Sequence, residues 1–136
     1  HFGEPMTKRI ASCSCGQLKA QVTGAPIRIS ICHCLACQRR SGSVFSAQAR
    51  FDRAAVVVSG PSNQYTITGD EGGKATFNFC PTCGATVYFQ NLGSEQFIVI
   101  PVGAIAEPGF PAPTVSVYEN RRHAWVGLPA DIKHLT

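Results

Sequence analysis

The sequence predicts an all-β fold with one or two short helices, a folded sheet or sandwich stapled by metal. Three features lead there. Short runs of β-branched and aromatic residues recur at regular spacing. Glycine and proline turns separate them, with none of the strand–helix alternation that a parallel sheet needs. Finally, seven cysteines fall in three tight clusters: Cys13 and Cys15 in SCSCG, Cys32, Cys34 and Cys37 in CHCLAC, and Cys80 and Cys83 in FCPTCG.

Along the chain, KRIAS (8–12) and QLKAQVT (17–23) flank the first cysteine pair and read as a hairpin closed around metal. PIRISI (26–31) alternates and runs straight into Cys32-His33-Cys34, after which 35–41 is the best helix. VFSAQARF (44–51), AAVVVS (54–59), NQYTIT (63–68), KATFNF (74–79), ATVYFQ (85–90) and QFIVIPV (96–102) are further strands. Gly60-Pro61, Gly69-Asp70, Gly72-Gly73 and Gly93 mark turns between them. A second short helix is expected near 103–107, within a Gly/Pro-rich surface loop over 103–113. Residues 6–136 are expected to form a single domain, and His1–Pro5, which precede Met6, read as an added remnant.

Composition narrows the class. At 136 residues, 44% apolar and 15% charged, the chain can bury one core and still draw much of its stability from metal. No apolar run is long enough to span a bilayer, and the N-terminal stretch has no signal-peptide core, so a cytoplasmic protein is expected. The net charge of +4 suits a small acidic ligand as well as it suits nucleic acid. Against nucleic acid, there is no dense Lys/Arg stripe and no basic–aromatic interleaving.

The cysteines read as metal ligands rather than disulfides. Their count is odd, and cysteines one or two residues apart pair poorly as disulfides, whereas those spacings suit metal knuckles. A closed structural zinc site takes four protein ligands, and a working site leaves a position free. Two pairs and a triplet supply both. In FCPTCG the proline stiffens the turn, and the glycine lets backbone amides turn towards sulfur. Cys13 and Cys15 are the best partners for Cys80 and Cys83, giving a structural zinc that ties the N-terminal hairpin to the middle of the sheet. A redox-active C-x-x-C is the alternative for Cys80 and Cys83, but the βαβ context it belongs to is missing. In the extended stretch before the helix, Cys32 and Cys34 point together and His33 points away, so Cys37 closes a three-thiolate catalytic zinc site and His33 is expected in the core or behind the ligands. A soft ion with three thiolates and an open position suits an added thiol. Completion by a fourth protein ligand, as a second structural zinc, stays open.

The ordered set CSCG … CHCLACQRRSGSVF … FCPTCG, followed by VYENRRHAWV, resembles the glutathione-dependent formaldehyde-activating family, whose domain is also found in a centromere protein. That resemblance implies an Mss4-like β fold, a structural zinc on Cys13, Cys15, Cys80 and Cys83, and a catalytic zinc on Cys32, Cys34 and Cys37. The activity it implies is condensation of glutathione with formaldehyde to S-hydroxymethylglutathione, a carbon–sulfur lyase reaction in reverse.

Basic residues near the triplet are candidates for the thiol's acidic groups. Arg39 and Arg40 follow Cys37 by about one helical turn and could grip a carboxylate, although at least one is expected on a solvated face. Ser41, Gly42 and Ser43 offer amides and hydroxyls, or else a plain turn. In the late cluster of Arg121, Arg122, His123 and Trp125, Trp125 is expected as a core or lid residue, and His123 as an acid/base or structural group. The reading is thus a two-zinc enzyme that adds a glutathione-like thiol to an aldehyde. A glutathione carrier without turnover and a zinc-dependent interaction module are its rivals.

Overall fold

The computed structural model describes residues 7–135. The expected remnant His1–Pro5 and the expected domain start at Met6 lie outside them.

The chain folds as two packed sheets. β1 (Lys8–Ser12) and β2 (Lys19–Thr23) form the expected antiparallel hairpin, with Ala11 opposite Ala20, and β5 (Val56–Ser59) adds to its β2 edge. The larger sheet contains β3 (Arg28–Cys32), β4 (Ser46–Asp52), β6 (Asn63–Thr68), β7 (Lys74–Phe79), β8 (Thr86–Asn91), β9 (Phe97–Pro101), β10 (Val115–Val117) and β11 (Lys133–Leu135). Its strand order is β11-β10-β3-β4-β9-β8-β7-β6. α1 (Leu35–Ser41) follows β3, and the one-turn α2 (Val102–Ile105) follows β9. The all-β class is borne out, and the sheet-and-knuckle arrangement is the Mss4-like one the resemblance implied.

Alternation explains the packing. Ala11, Leu18, Ala20 and Val22 face Ile29, Ala49, Phe51, Val87, Ile98 and Ile100 in one core between the two sheets. Phe51, Leu18, Ile100 and Val22 are fully buried there. Cys13 and Cys80 belong to the same core, so the first metal cluster sits where the sheets meet. Gly60 shows how tightly the layers are joined: a Cβ there would lie 1.8 Å from the Gln17 carbonyl oxygen, and its φ of +97° is hard for any other residue.

The sequence gives no hint of β10 and β11. Three residues each are too few to show periodicity, and both are held by parallel pairing, β10 against β3 and β11 against β10. Both lie beyond the Gly/Pro-rich loop expected over 103–113.

Candidate functional site

The first cluster forms where the β1–β2 turn meets the β7–β8 turn. The sulfurs of Cys13, Cys15, Cys80 and Cys83 all lie within 4.8 Å of one another. Cys13 Sγ is 3.7 Å from Cys15 Sγ, and Cys15 Sγ is 3.6 Å from Cys80 Sγ. Four sulfurs at tetrahedral zinc, about 2.3 Å from the ion, would stand ~3.8 Å apart. Backbone amides are already turned towards the sulfurs: Leu18 N–H donates to Cys13 Sγ at 3.2 Å, and Thr82 and Cys83 N–H to Cys80 Sγ at 3.4 and 3.5 Å. The amides of Ala85 and then Cys15 hold Cys83 down at about 6. Although the Gln17 amide favours the Cys15 thiolate, burial and the other sulfurs push that thiol up to about 11. Such a donor set becomes fully ionised only around a cation, and its spacing fits zinc.

The second cluster stands at the end of β3. Cys32, Cys34 and Cys37 bring their sulfurs within 4.8 Å of one another. Cys34 keeps an extended backbone, φ −62° and ψ 152°, and caps α1 by accepting the Cys37 N–H at 3.3 Å. Gly42, in the left-handed region, closes the helix by donating its backbone N–H to the Gln38 carbonyl. Cys32 and Cys34 thus face one way and His33 the other, as alternation requires. His33 is fully buried, pairs through Nε2 with Ser116 Oγ at 3.0 Å, and meets the Phe45 ring edge-on. Hydrogen bonds from Cys32 and Cys37 pull Cys34 down to about 2. The hydrogen bond that Cys32 gives to Cys34 pushes Cys32 up to about 11, and the bonds with Cys32 and Cys34 drive Cys37 far above the normal thiol range. One thiolate forms readily, and a full set of three needs a positive ion among them. No fourth Cys, His, Asp or Glu joins this group among the described residues. A zinc ion therefore fits this set with a coordination position to spare.

The triplet opens into a cleft of about 340 Å³ on one face of the larger sheet. Arg28, Ser30 and Cys32 follow one another along that face of β3. Gln48 and Arg50 line it from β4, with Arg28 directly opposite Arg50 and Ser30 opposite Gln48. Lys74, Asp70 and Tyr118 also line it, and Phe77 and Phe89 contribute apolar lining. Two arginines facing each other across a strand pair repel, and neither has an acidic partner among the described residues. Arg50 lies 5.0 Å from the Phe97 ring centroid, and burial, with Arg28 adding to it, works against its charge. Tyr118 holds φ +57°, a conformation that costs an aromatic residue strain and is common at functional sites. Burial, then the negative charge of Glu71, Cys32 and Cys34, raises its hydroxyl, which stays protonated.

The basic run after the triplet is arranged differently from the sequence expectation. None of Arg39, Arg40, Ser41, Gly42 and Ser43 lines the cleft with the cysteines. Arg39 is exposed on a separate groove over β6 and β7. Arg40 folds beneath the site onto Phe77 and Phe89. Ser41 Oγ donates to the Cys37 carbonyl at 2.8 Å and accepts the Ser43 N–H, so Ser41–Ser43 serve to end the helix. Trp125 corrects its expectation as a core or lid residue: it is 74% exposed and, among the aromatic groups of the described residues, meets only the His123 ring. The preceding segment is instead held by polar contacts. His123 Nε2 pairs with Gln38 Oε1, Gln38 Nε2 donates to the carbonyls of His33 and Arg121, and Asp70 Oδ2 accepts from Leu35 N and Arg121 Nε. Once those bonds anchor it, Trp125 is left outside. Sequence reasoning missed Arg28, Arg50, Lys74 and Tyr118. For Arg28 a signal existed, since it precedes Cys32 by an even number of residues on one strand.

No helix among the described residues is long and apolar enough to cross a membrane. No curated protein matches the chain. Among solved structures, it is similar to a crystal structure of a Rhodobacter sphaeroides protein, at 20% identity and a TM-score of 0.55 over 77% of this chain and 91% of that one, a likeness of fold. The sequence pattern of the glutathione-dependent formaldehyde-activating enzymes matches residues 8–121. With the cysteine clusters and the sheet that carries them, that match places the chain in the glutathione-dependent formaldehyde-activating enzyme family.

Proposed function

We propose that the protein is a two-zinc enzyme that joins a glutathione-like thiol to formaldehyde or a similar small aldehyde, running as a carbon–sulfur lyase in reverse, in the cytoplasm. One observation carries the reading: an open triplet of thiols at one end of a cleft whose other end holds two arginines with no acidic partner among the described residues. In this reading Cys13, Cys15, Cys80 and Cys83 hold a structural zinc, and Cys32, Cys34 and Cys37 hold the catalytic one. Zinc on the triplet would bind the thiol's sulfur in its free position and favour the thiolate.

The rest is the work of the chain. Arg28 stands four residues before Cys32, about 13 Å along an extended strand. A tripeptide extends about 10 Å, so a thiol seated at the cysteines presents its carboxylate to Arg28 and Arg50, which relieves their mutual repulsion. Lys74 adds a third positive charge to the cleft lining. As sulfur bonds to the aldehyde carbon, the carbonyl electron pair moves to oxygen. The Tyr118 hydroxyl, from the cleft lining, would donate to that oxygen, and the proton given up by the thiol would end there. Arg39, Ser41, Gly42 and Ser43 have no part in this scheme.

The addition of thiols to formaldehyde is fast without a catalyst, so binding alone does not establish turnover. Initial rates of S-hydroxymethylglutathione formation should rise linearly with protein concentration above the uncatalysed background, and Cys34→Ser should remove that slope. Equal slopes for the two proteins would leave a glutathione carrier. Absence of glutathione binding would leave an interaction module.

A further inference from the structure

Arg40 is placed in a way that thiol capture in the cleft does not explain. Its guanidinium carbon is 4.9 Å from the Phe77 ring centroid and 5.6 Å from that of Phe89. Those rings pack on each other at 4.5 Å, so they form a firm floor. One terminal nitrogen donates to Ser46 Oγ at 2.7 Å, and Ser46 is itself buried, directly opposite Cys32 on the neighbouring strand. Nε is buried with no hydrogen-bond partner among the described residues. No carboxylate pairs with this guanidinium among the described residues either. Arg40 is half-buried, bordering the groove that Arg39 also lines, and a half-buried cation without a carboxylate partner is costly. Burial works against its charge, and the sulfurs of Cys37, then Cys32 and Cys34, are what favours it. On the helix Cys37 and Arg40 are three apart, the spacing at which side chains meet.

We propose that Arg40 is the built-in counter-charge of the three-thiolate site, held by Phe77, Phe89 and Ser46 so that its guanidinium offsets the excess negative charge around the bound ion. Three thiolates and a divalent ion leave one net negative charge, and a thiolate in the free position makes two. In a half-buried setting that second charge is strongly disfavoured without a cation nearby. Arginine suits the place better than lysine because it is planar, stacks on rings and sheds water more easily. Arg40 is thus a positioning residue, acting through the cysteines rather than touching substrate. The half of the inference that concerns an anionic fourth ligand rests on the thiol reading above, whereas the half that concerns the metal does not.

The test uses zinc-loaded full-length protein, with a chromophoric chelator competing for the labile zinc and glutathione binding followed by calorimetry. Arg40→Gln should weaken zinc at the triplet by about 10-fold or more, the range for losing a charged interaction, and leave the tightly held zinc unchanged. Glutathione affinity of the loaded site should fall with it. Arg40→Lys should recover part of both losses, a rescue that a purely packing role would not give. Ser46→Ala, which frees the guanidinium while leaving the rings in place, should lower zinc affinity in the same direction by a smaller factor, and it carries the test if Arg40→Gln does not fold. Unchanged zinc affinity in Arg40→Gln or in Ser46→Ala, or an Arg40→Lys protein as weak as Arg40→Gln, would overturn the proposal, as would a wild-type triplet that takes no zinc. Zinc binding without glutathione binding would sink the thiol reading alone, and the zinc affinities would still decide the role of Arg40.

Discussion

Two side-chain chemistries divide the cleft, sulfur at one end and guanidinium at the other, and each should fail in its own way. Replacing Arg50 by Ala removes a charged grip on substrate, so glutathione binding should weaken by about 1.5–3 kcal/mol while metal content stays constant. Arg39→Ala, on an exposed position outside the cleft, should change affinity by less than about 0.5 kcal/mol. Tyr118→Phe removes only a hydroxyl, so thiol affinity should persist while the catalysed rate drops about 10–100-fold, at or below the loss of one oxyanion donor. Titration calorimetry and initial rates separate the two. A Tyr118→Phe enzyme with full kcat would take the hydroxyl out of the scheme, and an Arg50→Ala protein with unchanged affinity would take out the arginine. At this scale the sequence was legible for cysteines and opaque for arginines. Cysteine function follows from local spacing, and the orientation of His33 away from Cys32 and Cys34 was readable from strand alternation. Arg28 and Arg50 are brought together only by the β3–β4 register, which no local pattern encodes.

Among the elements, the two knuckle turns stand apart, because they fasten β1 and β2 to β7 and β8 across the gap between the sheets. Each contributes only a pair of cysteines and a glycine with positive φ, Gly16 in one and Gly84 in the other. Closing a four-thiolate zinc site there contributes on the order of 10 kcal/mol, comparable to the whole stability of a typical domain. Cys80→Ser or Cys13→Ser should therefore give unfolded or insoluble protein. Cys34→Ser removes a ligand at a cleft edge and should leave a folded protein with near-native far-ultraviolet circular dichroism, lacking only the labile zinc. A soluble Cys80→Ser protein with an unchanged melting temperature would contradict this assignment of the staple. Strand boundaries were legible where turn residues bound the run, as in β1, β6 and β7, whose observed limits match the sequence reading. Helix α1 was equally legible, its observed limits matching the run expected just after the Cys32-His33-Cys34 turn. β10 and β11 were not, since three-residue strands exist only by virtue of the strand they lie against. Trp125 was misjudged on the same ground: burial of a large aromatic is a statement about packing, and the polar anchoring of the segment before it left nothing to pack against.

As a whole, the molecule keeps apart two cysteine clusters that could each hold a metal ion, one at the junction of the sheets and the other at the rim of a basic cleft. That division was visible in the count of cysteines, four and three, and in the order of the motifs. The direction in which the substrate lies was not, because it depends on how eight strands order themselves in one sheet. The central claim is that the triplet keeps a position for an outside thiol. X-ray absorption at the zinc edge, on protein carrying two zinc ions per chain, reads the mean number of sulfur ligands with and without glutathione. Four sulfurs on one ion and three on the other give a mean of about 3.5, and glutathione should raise it to about 4 by filling the open position. A mean that does not move when saturating glutathione is added would contradict the account.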